Sequence, residues 1–516
     1  MNWLHAAEFL PTWLNARRLD GGELLTKKFL ATLAAIVLLP NSTFAAEGVP
    51  LTLDEAIALA LKNNRLIEQS AESREAARWN LSATRRASGP KFSWSSTLNR
   101  IGGRYYRRSG RRSNHDQAKF YKSMGYDVNM SLDPSYENEN YNSANLSMPL
   151  YTGGRLENQR KTARYALNAA DLTLENSRQQ VKYQAAAAYY QVLQRAALVD
   201  VQKQAVQLLQ EHLNTVSIQY EVGTVAKSDV LATNVQLANS QQSLNTAEGN
   251  YQTAVAQLNN IIGLPVSTEI ATSDKINFVQ YNLTEEQCLE YALAHRPDGI
   301  AAVYTLKQAK AQTAAAKSGY RPEVNAVVQG NMSGENVFGS NHNAEQWSVG
   351  LQMNWNIFDN GVTSANVNQA KALERRADSL ARQQIETIQL EVHSAYIALK
   401  TAEKNIAVTA SAVDKAEEEF AIAQIRYIEG VDTNLNVMNA QEKVVETRSN
   451  YYTALYSYST SRAQLEKAMG VPVTIDALLY TEAEQEGKSS PKSLEAATVE
   501  NIYDEISAEL PEPFDE

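Results

Sequence analysis

The residues of this chain that could do chemistry are few and scattered. His5, His115, His212, His295, His342 and His393 show none of the spacings by which imidazoles share a metal ion, and neither a Gly-x-Ser-x-Gly elbow nor a phosphate-binding glycine loop occurs. Cys288 is the one thiol, which excludes an internal disulfide and a multi-thiolate metal site. It reads as a small buried apolar group. Acyl transfer, phosphoryl transfer and metal-assisted hydrolysis each lack their residues, so no enzyme and no cofactor is expected. His212 and His393 fall in helical stretches and read as solvated or as facing an internal passage. A second concentration of chemistry is Arg100, Arg104, Arg107, Arg108, Arg111 and Arg112, interleaved with Tyr105 and Tyr106. Taken alone it suits nucleic acid. The chain as a whole carries 48 basic against 58 acidic residues, a net charge of −10, which argues against nucleic acid. Anionic lipid headgroups, or plain solvation, remain as readings of the cluster.

The elements that must position these side chains are mostly helices. Of 516 residues 44% are apolar, and only 23 are Gly and 13 Pro, about 7% together against roughly 12% in ordinary usage. Residues 1–45 read as a leader and signal peptide. Lys27-Lys28 precede an apolar run from Phe29 to Leu39, and small residues end the segment at Thr43 and Ala45. Beyond it nothing reaches 18 uninterrupted apolar residues, so no helix is expected to cross a bilayer, and membrane entry would have to be by strands.

Self-comparison divides the remainder into two copies of one unit, 46–275 and 276–480, followed by an acidic tail, 481–516. Leu51-Thr52, Asp54, Ile57, Ala60-Leu61 and Pro90 recur as Leu283-Thr284, Glu286, Leu289, Ala292-Leu293 and Pro322. Leu150-Tyr151, Gly154, Tyr220, Gly223, Tyr251, Gly263 and Pro265 recur at a different constant offset as Ile357-Phe358, Gly361, Tyr427, Gly430, Tyr458, Gly470 and Pro472. The change of offset marks an insertion in the first copy between Pro90 and Leu146, and the arginine cluster falls inside it. The tail has too many acids to build a core of its own.

Each copy holds 68 residues without Gly or Pro, between Gly154 and Gly223 and between Gly361 and Gly430, enough for a helix of about 100 Å. Ile385, Val392, Leu399, Ile406, Val413, Phe420 and Tyr427 fall every seven residues, with alanines in the accompanying places, as Val192, Val199, Val206, Leu213 and Tyr220 do in the first copy. A shorter heptad run follows each glycine, and stacked on the helix-like stretch that opens the copy it equals the long helix in height. Before the second long helix, Trp347, Val349, Leu351, Met353, Trp355 and Ile357 alternate with polar residues and a glycine, in the manner of a membrane-barrel strand, with Val324, Ala326 and Val328 as its partner. Phe92, Trp94 and Leu98 make one strand in the first copy, and Ala144, Leu146, Met148 and Leu150 the other. Four strands cannot close a barrel, so several chains must combine.

The Leu51-Thr52-x-Asp54 segment and its copy, Pro149-Leu-Tyr-x-Gly-Gly154, the Tyr220-x-x-Gly223 and Tyr427-x-x-Gly430 turns, and the Gly263-Leu-Pro265 and Gly470-Val-Pro472 ends together resemble the TolC-like outer-membrane efflux proteins over residues 51–475. The resemblance implies a homotrimer whose 12-stranded outer-membrane β-barrel is continued by a 12-helix periplasmic α-barrel. It also implies a passive exit duct for small molecules or proteins in a tripartite efflux or type I secretion system, with outer-membrane lipids, a periplasmic adaptor protein and an inner-membrane pump as partners. The turns at Gly223 and Gly430 would touch the adaptor. Asp229, Tyr220 and Tyr427 match positions that join gating bonds, Asn436 and Asn439 match an acidic pair of the best-known member, and Asp432 stands where that member is basic. The competing reading is a non-conducting trimeric coiled-coil tether or adhesin of the cell envelope.

Overall fold

The computed structural model describes residues 49–102, 117–126, 136–272, 278–334 and 342–473. The leader, the acidic tail and all the clustered arginines except Arg100 lie outside the described residues. The chain runs β1 (Val49–Leu51), α1 (Leu53–Asn63), α2 (Arg65–Arg86), β2 (Lys91–Gly102), β3 (Tyr136–Tyr151), α3 (Arg155–Glu221), α4 (Lys227–Ile262), β4 (Ile270–Thr272), α5 (Glu285–His295) and α6 (Pro297–Lys317). It continues through β5 (Glu323–Gly334), β6 (His342–Asn354), α7 (Val362–Ile428) and α8 (Asn434–Met469).

Local chemistry sets these boundaries. Thr52 caps α1 by a reciprocal box with Glu55, and Thr284 caps α5 the same way with Gln287. The helix-like stretch that opens each copy is broken in both. Asn64 is extended at φ −72° and ψ 128°, accepts from the Leu66 N–H at 2.9 Å and donates to the Ile261 carbonyl at 3.1 Å. In the second copy Arg296 is extended because Pro297 follows it. The helices α3 and α7 have 67 residues each, and α4 and α8 have 36 each.

Helix α3 lies between two neighbours: α2 and α4 stacked end to end on one side, α6 and α8 stacked end to end on the other. On the far side of α6 and α8 comes α7. The result is a four-pillar wall. Its inner pillar α3 is buried on several faces, whereas α7 leaves Leu373, Leu380, Leu390, Ile397, Val408 and Ile422 exposed. A belt of α1, the parallel pair β1 and β4, and α5 packs across the wall over two equivalent cores, one around Tyr189, Leu258 and Ile262 and one around Ile388, Leu399 and Leu465. In the belt the Arg296 guanidinium is 5% exposed and pairs with Asp298 at 2.6 and 2.9 Å, Glu391 at 2.6 Å and the Ala468 carbonyl at 3.2 Å. It sits against Gly470, where an added Cβ would lie 2.8 Å from the Arg296 Cγ.

The longer strands form an antiparallel sheet in the order β2-β3-β5-β6, and among the described residues both outer strands have an open edge. The last strand ends at Asn354, before Trp355 and Ile357, because the chain must turn into α7; Trp355 instead donates its indole N–H to the Tyr320 carbonyl at 3.2 Å. Register decides the chemistry of the faces. Phe92, Leu146, Val328 and Val349 are cross-strand neighbours in one row, as are Trp94, Ala144, Gly330 and Trp347 in the next. The alternate rows are Ser93, Asn145, Gln329 and Ser348, then Ser95, Ser143, Asn331 and Gln346. One face is therefore apolar and the other polar. Among the described residues nothing covers the apolar face: Trp347 is 79% exposed and Phe92 69%. Among the described residues the sheet does not close on itself.

Candidate functional site

At the end of the wall remote from the sheet, the two long helices turn back on themselves. Gly223 at φ 82° and Gly430 at φ 74° end α3 and α7 with left-handed residues, and the next N–H of each turn reaches back to the Gln219 and Arg426 carbonyls at 2.9 Å. Around these turns Ile218, Val222, Leu231 and Val235 on one hairpin and Ile425, Ile428, Val431 and Leu435 on the other are exposed. A solvated turn has no use for this many aliphatic side chains, so both tips have the character of contact surfaces.

The residues that the sequence points to are distributed unevenly here. Asp432 accepts from the Asn436 amide at 2.5 Å and from the Thr433 N–H at 2.8 Å, and faces Arg426 at 3.8 Å. The Asn436 bond, then the Thr433 N–H, hold its carboxyl below the ordinary carboxylate range. Asn436 and Asn439 are exposed and line a groove between α7 and α8 with Glu419, Glu442 and Glu446. At the first hairpin Tyr220 is exposed and Asp229 half-buried. Tyr427 is the opposite case, 6% exposed, with a buried hydroxyl that has no hydrogen-bond partner among the described residues. Burial, and then the negative charge of Asp229, push its phenol upward.

Sequence reasoning passed over the residues that join the two hairpins. His212, read as solvated or facing a passage, is 8% exposed and packed inside the chain. Its Nε2 lies 2.6 Å from Asn434 Oδ1, and the Asn434 amide donates to Thr233 Oγ1 at 2.9 Å and to the Asp229 carbonyl at 3.2 Å. Thr233 donates in turn to the Asp229 carbonyl at 2.8 Å. Since both Asn434 N–H groups point to acceptors, Oδ1 must accept, and the network assigns the proton to His212 Nε2. The Tyr427 ring stands edge-on to the imidazole with centroids 5.4 Å apart. The available signal was the stripe: in the lower part of α3 the buried positions are Ala205, Leu209, His212 and Val216, not the heptad places Val206 and Leu213. Burial lowers the imidazole's affinity for a proton, and the Asn434 bond offsets only part of this.

This arrangement ties helices together by hydrogen bonds, and among the described residues here no nucleophile stands in register with a base. Among the described residues no group of three or more His, Cys, Asp or Glu could share a metal ion, and no helix is long and apolar enough to cross a membrane.

Comparison with known proteins agrees with this architecture. The family model described as "Outer membrane efflux protein" matches residues 56–264 and 288–471. The solvent efflux pump outer membrane protein SrpC of Pseudomonas putida is 25% identical over 251 residues, 48% of this chain. That alignment spans about half of the relative, 53% of its length. The toluene efflux pump outer membrane protein TtgF, also of Pseudomonas putida, is 24% identical over 419 residues, 81% of this chain and 82% of the relative. Among solved structures, the Campylobacter jejuni CmeC outer membrane channel superposes with a TM-score of 0.69 at 18% identity, covering 88% of this chain and 95% of that one, a likeness of fold.

Proposed function

The chain belongs to the outer membrane efflux protein family, and on that premise we propose that three copies close a duct through the outer membrane and the space beneath it. The observation that carries this reading is the register-aligned apolar face of a sheet whose two edges are open. Lipid is the surrounding that such a face satisfies, and backbone groups at lipid depth require every edge to be paired. Three four-stranded sheets joined β2 to β6 make a barrel of twelve. In the helical wall the same join sets the apolar line of α7 against α2 and α4 of the next copy. The tunnel beneath would then have four pillars from each chain. A tether needs no lipid-facing band, so the non-conducting reading is the poorer fit.

In this reading the duct is passive. An inner-membrane pump supplies the driving force, and a periplasmic adaptor seats on the aliphatic turns around Gly223 and Gly430. The relatives named for solvent and toluene efflux favour small molecules over proteins as cargo. The mouth would be narrowed where Asp229 and Asp432 each occur three times around the axis. Two carboxylates about 8 Å apart in water repel by only about 0.5 kcal/mol, so the acids set selectivity more than they force the mouth apart. The Tyr427 hydroxyl, which lacks an acceptor among the described residues, is the donor available to Asp229 when the tip tightens.

In planar bilayers, Asp229→Ala combined with Tyr427→Phe should raise single-channel conductance, and Asp432→Ala should mainly weaken cation preference. Wild-type conductance and selectivity in all these variants would move the constriction elsewhere in the tunnel.

A further inference from the structure

The His212 node differs in kind from the charged groups at the mouth. It is buried, it lies within one chain, and it ties three helices together at one point: α3 through His212, α8 through Asn434 at its first residue, and α4 through Thr233 and the Asp229 carbonyl. The apolar cluster beside it consists of Val216, Ala423, Tyr427, Val437 and Ala440, from α3, α7 and α8. The apolar cluster holds the two hairpins side by side without direction, and the node adds the hydrogen bonds that fix one against the other near their tips.

The chemistry of the tie is specific to a neutral ring. Neutral imidazole protonated on Nε2 gives Asn434 Oδ1 its donor and leaves Nδ1 without a proton. Imidazolium would keep that donor but add a charge, and a second N–H, to a ring that is 8% exposed and packed edge-to-face with Tyr427 beside an apolar cluster. The charged and titratable groups on the surrounding elements do not compensate. Glu211 on α3 is exposed and accepts from Gln207 at 3.1 Å, the Asp229 carboxylate on α4 is half-buried and its charge acts on the Tyr427 phenol, and Asp432 before α8 is occupied by Asn436, Thr433 and Arg426. Tyr427 on α7 presents its ring.

We propose that His212 is a positioning residue for the tip: while neutral it locks the α3–α4 hairpin to the α7–α8 hairpin of the same chain, and its protonation unlocks them, so that the mouth loosens in acid. This rests on the reading of the tip as the mouth of a duct.

Burial depresses the imidazole in the folded state, so the stabilisation it provides is complete above its ordinary value near 6.5 and is lost as pH falls toward the folded value. Each unit of depression makes a tenfold change in the locking equilibrium of one chain, and a trimer has three such nodes.

The test uses the full-length protein in detergent and in bilayers at about pH 7.5 and about pH 5.5, across the range in which histidine titrates. Amide hydrogen exchange of residues 224–234 and 427–440, corrected for the chemical exchange rate, reads the lock whether or not the assembly conducts. In the wild type these segments should exchange several-fold faster at the lower pH. His212→Gln, whose amide can still donate to Asn434 but does not titrate, should stay slow at both. His212→Ala should be fast at both. Conductance should follow the same order if the tip is the mouth. Wild-type exchange unchanged between the two pH values, or pH dependence that survives in His212→Gln, overturns the proposal. Exchange that follows the expected order while no variant ever conducts supports the lock and counts against the duct.

Discussion

Val349→Arg and Leu351→Arg are each expected to abolish insertion into the outer membrane, while Ser348→Arg, at the neighbouring position, is expected to be tolerated. Val349 shares its row with Phe92, Leu146 and Val328, and Leu351 shares its row with Met148 and Ala326; both side chains are exposed in the isolated chain. A guanidinium on the lipid face of a barrel costs about 2–4 kcal/mol near the midplane and less toward the interfaces. About 2 kcal/mol is roughly a thirtyfold loss per chain, and every substitution enters an assembly of three copies three times. Ser348 faces the other way, in line with Gln329 and Asn145, where a charge would meet water in the lumen. The measurement is the fraction of each variant recovered folded in the outer-membrane fraction. Equal recovery of Val349→Arg and Ser348→Arg would mean that lipid does not touch this face.

The second large effect lies in the belt. Asp298→Ala should lower stability by about 3 kcal/mol, because removing one partner of a buried ion pair strands the other. The value sits at the low end of what such losses cost, since the Asp298 side chain keeps 22% of its surface in solvent. Arg296 would retain Glu391 and the Ala468 carbonyl, and Gln384 would lose the carboxylate it reaches at 3.0 Å. The first copy solves the same problem without charge. Asn64 and Leu66 stand at the equivalent positions, and the Asn64 amide reaches the Ile261 carbonyl. Arg296→Asn with Asp298→Leu, which imports that solution, should therefore cost less than Asp298→Ala alone, a non-additivity that contact predicts. Thermal unfolding of the detergent-extracted protein reads both. A double variant less stable than Asp298→Ala would show that the ion pair does more than fill the joint.

These two regions also show what the sequence could tell and what it could not. Long helices, their glycine ends and the four strands were legible because each rests on a local rule: absence of breakers over Arg155–Glu221 and Val362–Ile428, left-handed glycines at the turns, and period-two alternation from Trp347 to Met353. The break of the opening helix at Asn64 was not, since nothing in the neighbouring residues forbids a helix there; its amide is bound to the distant Ile261 carbonyl. Arg296 was equally hidden, because a cation is buried only by virtue of partners that the fold supplies. At the tip, Asp432 and Asn436 are four residues apart on one chain segment and meet as adjacent residues should. His212 and Asn434 are separated by 222 residues and meet through packing alone. The heptad register continued down α3 put the buried stripe one position off, on Val206 and Leu213, where flanking helices on both sides bury Ala205, Leu209 and His212 instead.

The central claim is that one chain is an incomplete wall and three make a duct. It is tested most directly by determining the molar mass of the detergent-extracted particle, before and after heating, and by recording conductance from that same particle in a planar bilayer. The account predicts a particle of three chains that conducts, prefers cations, and loses both its mass and its conductance on heating. A single chain that conducts, or a stable three-chain particle that never does, would contradict it.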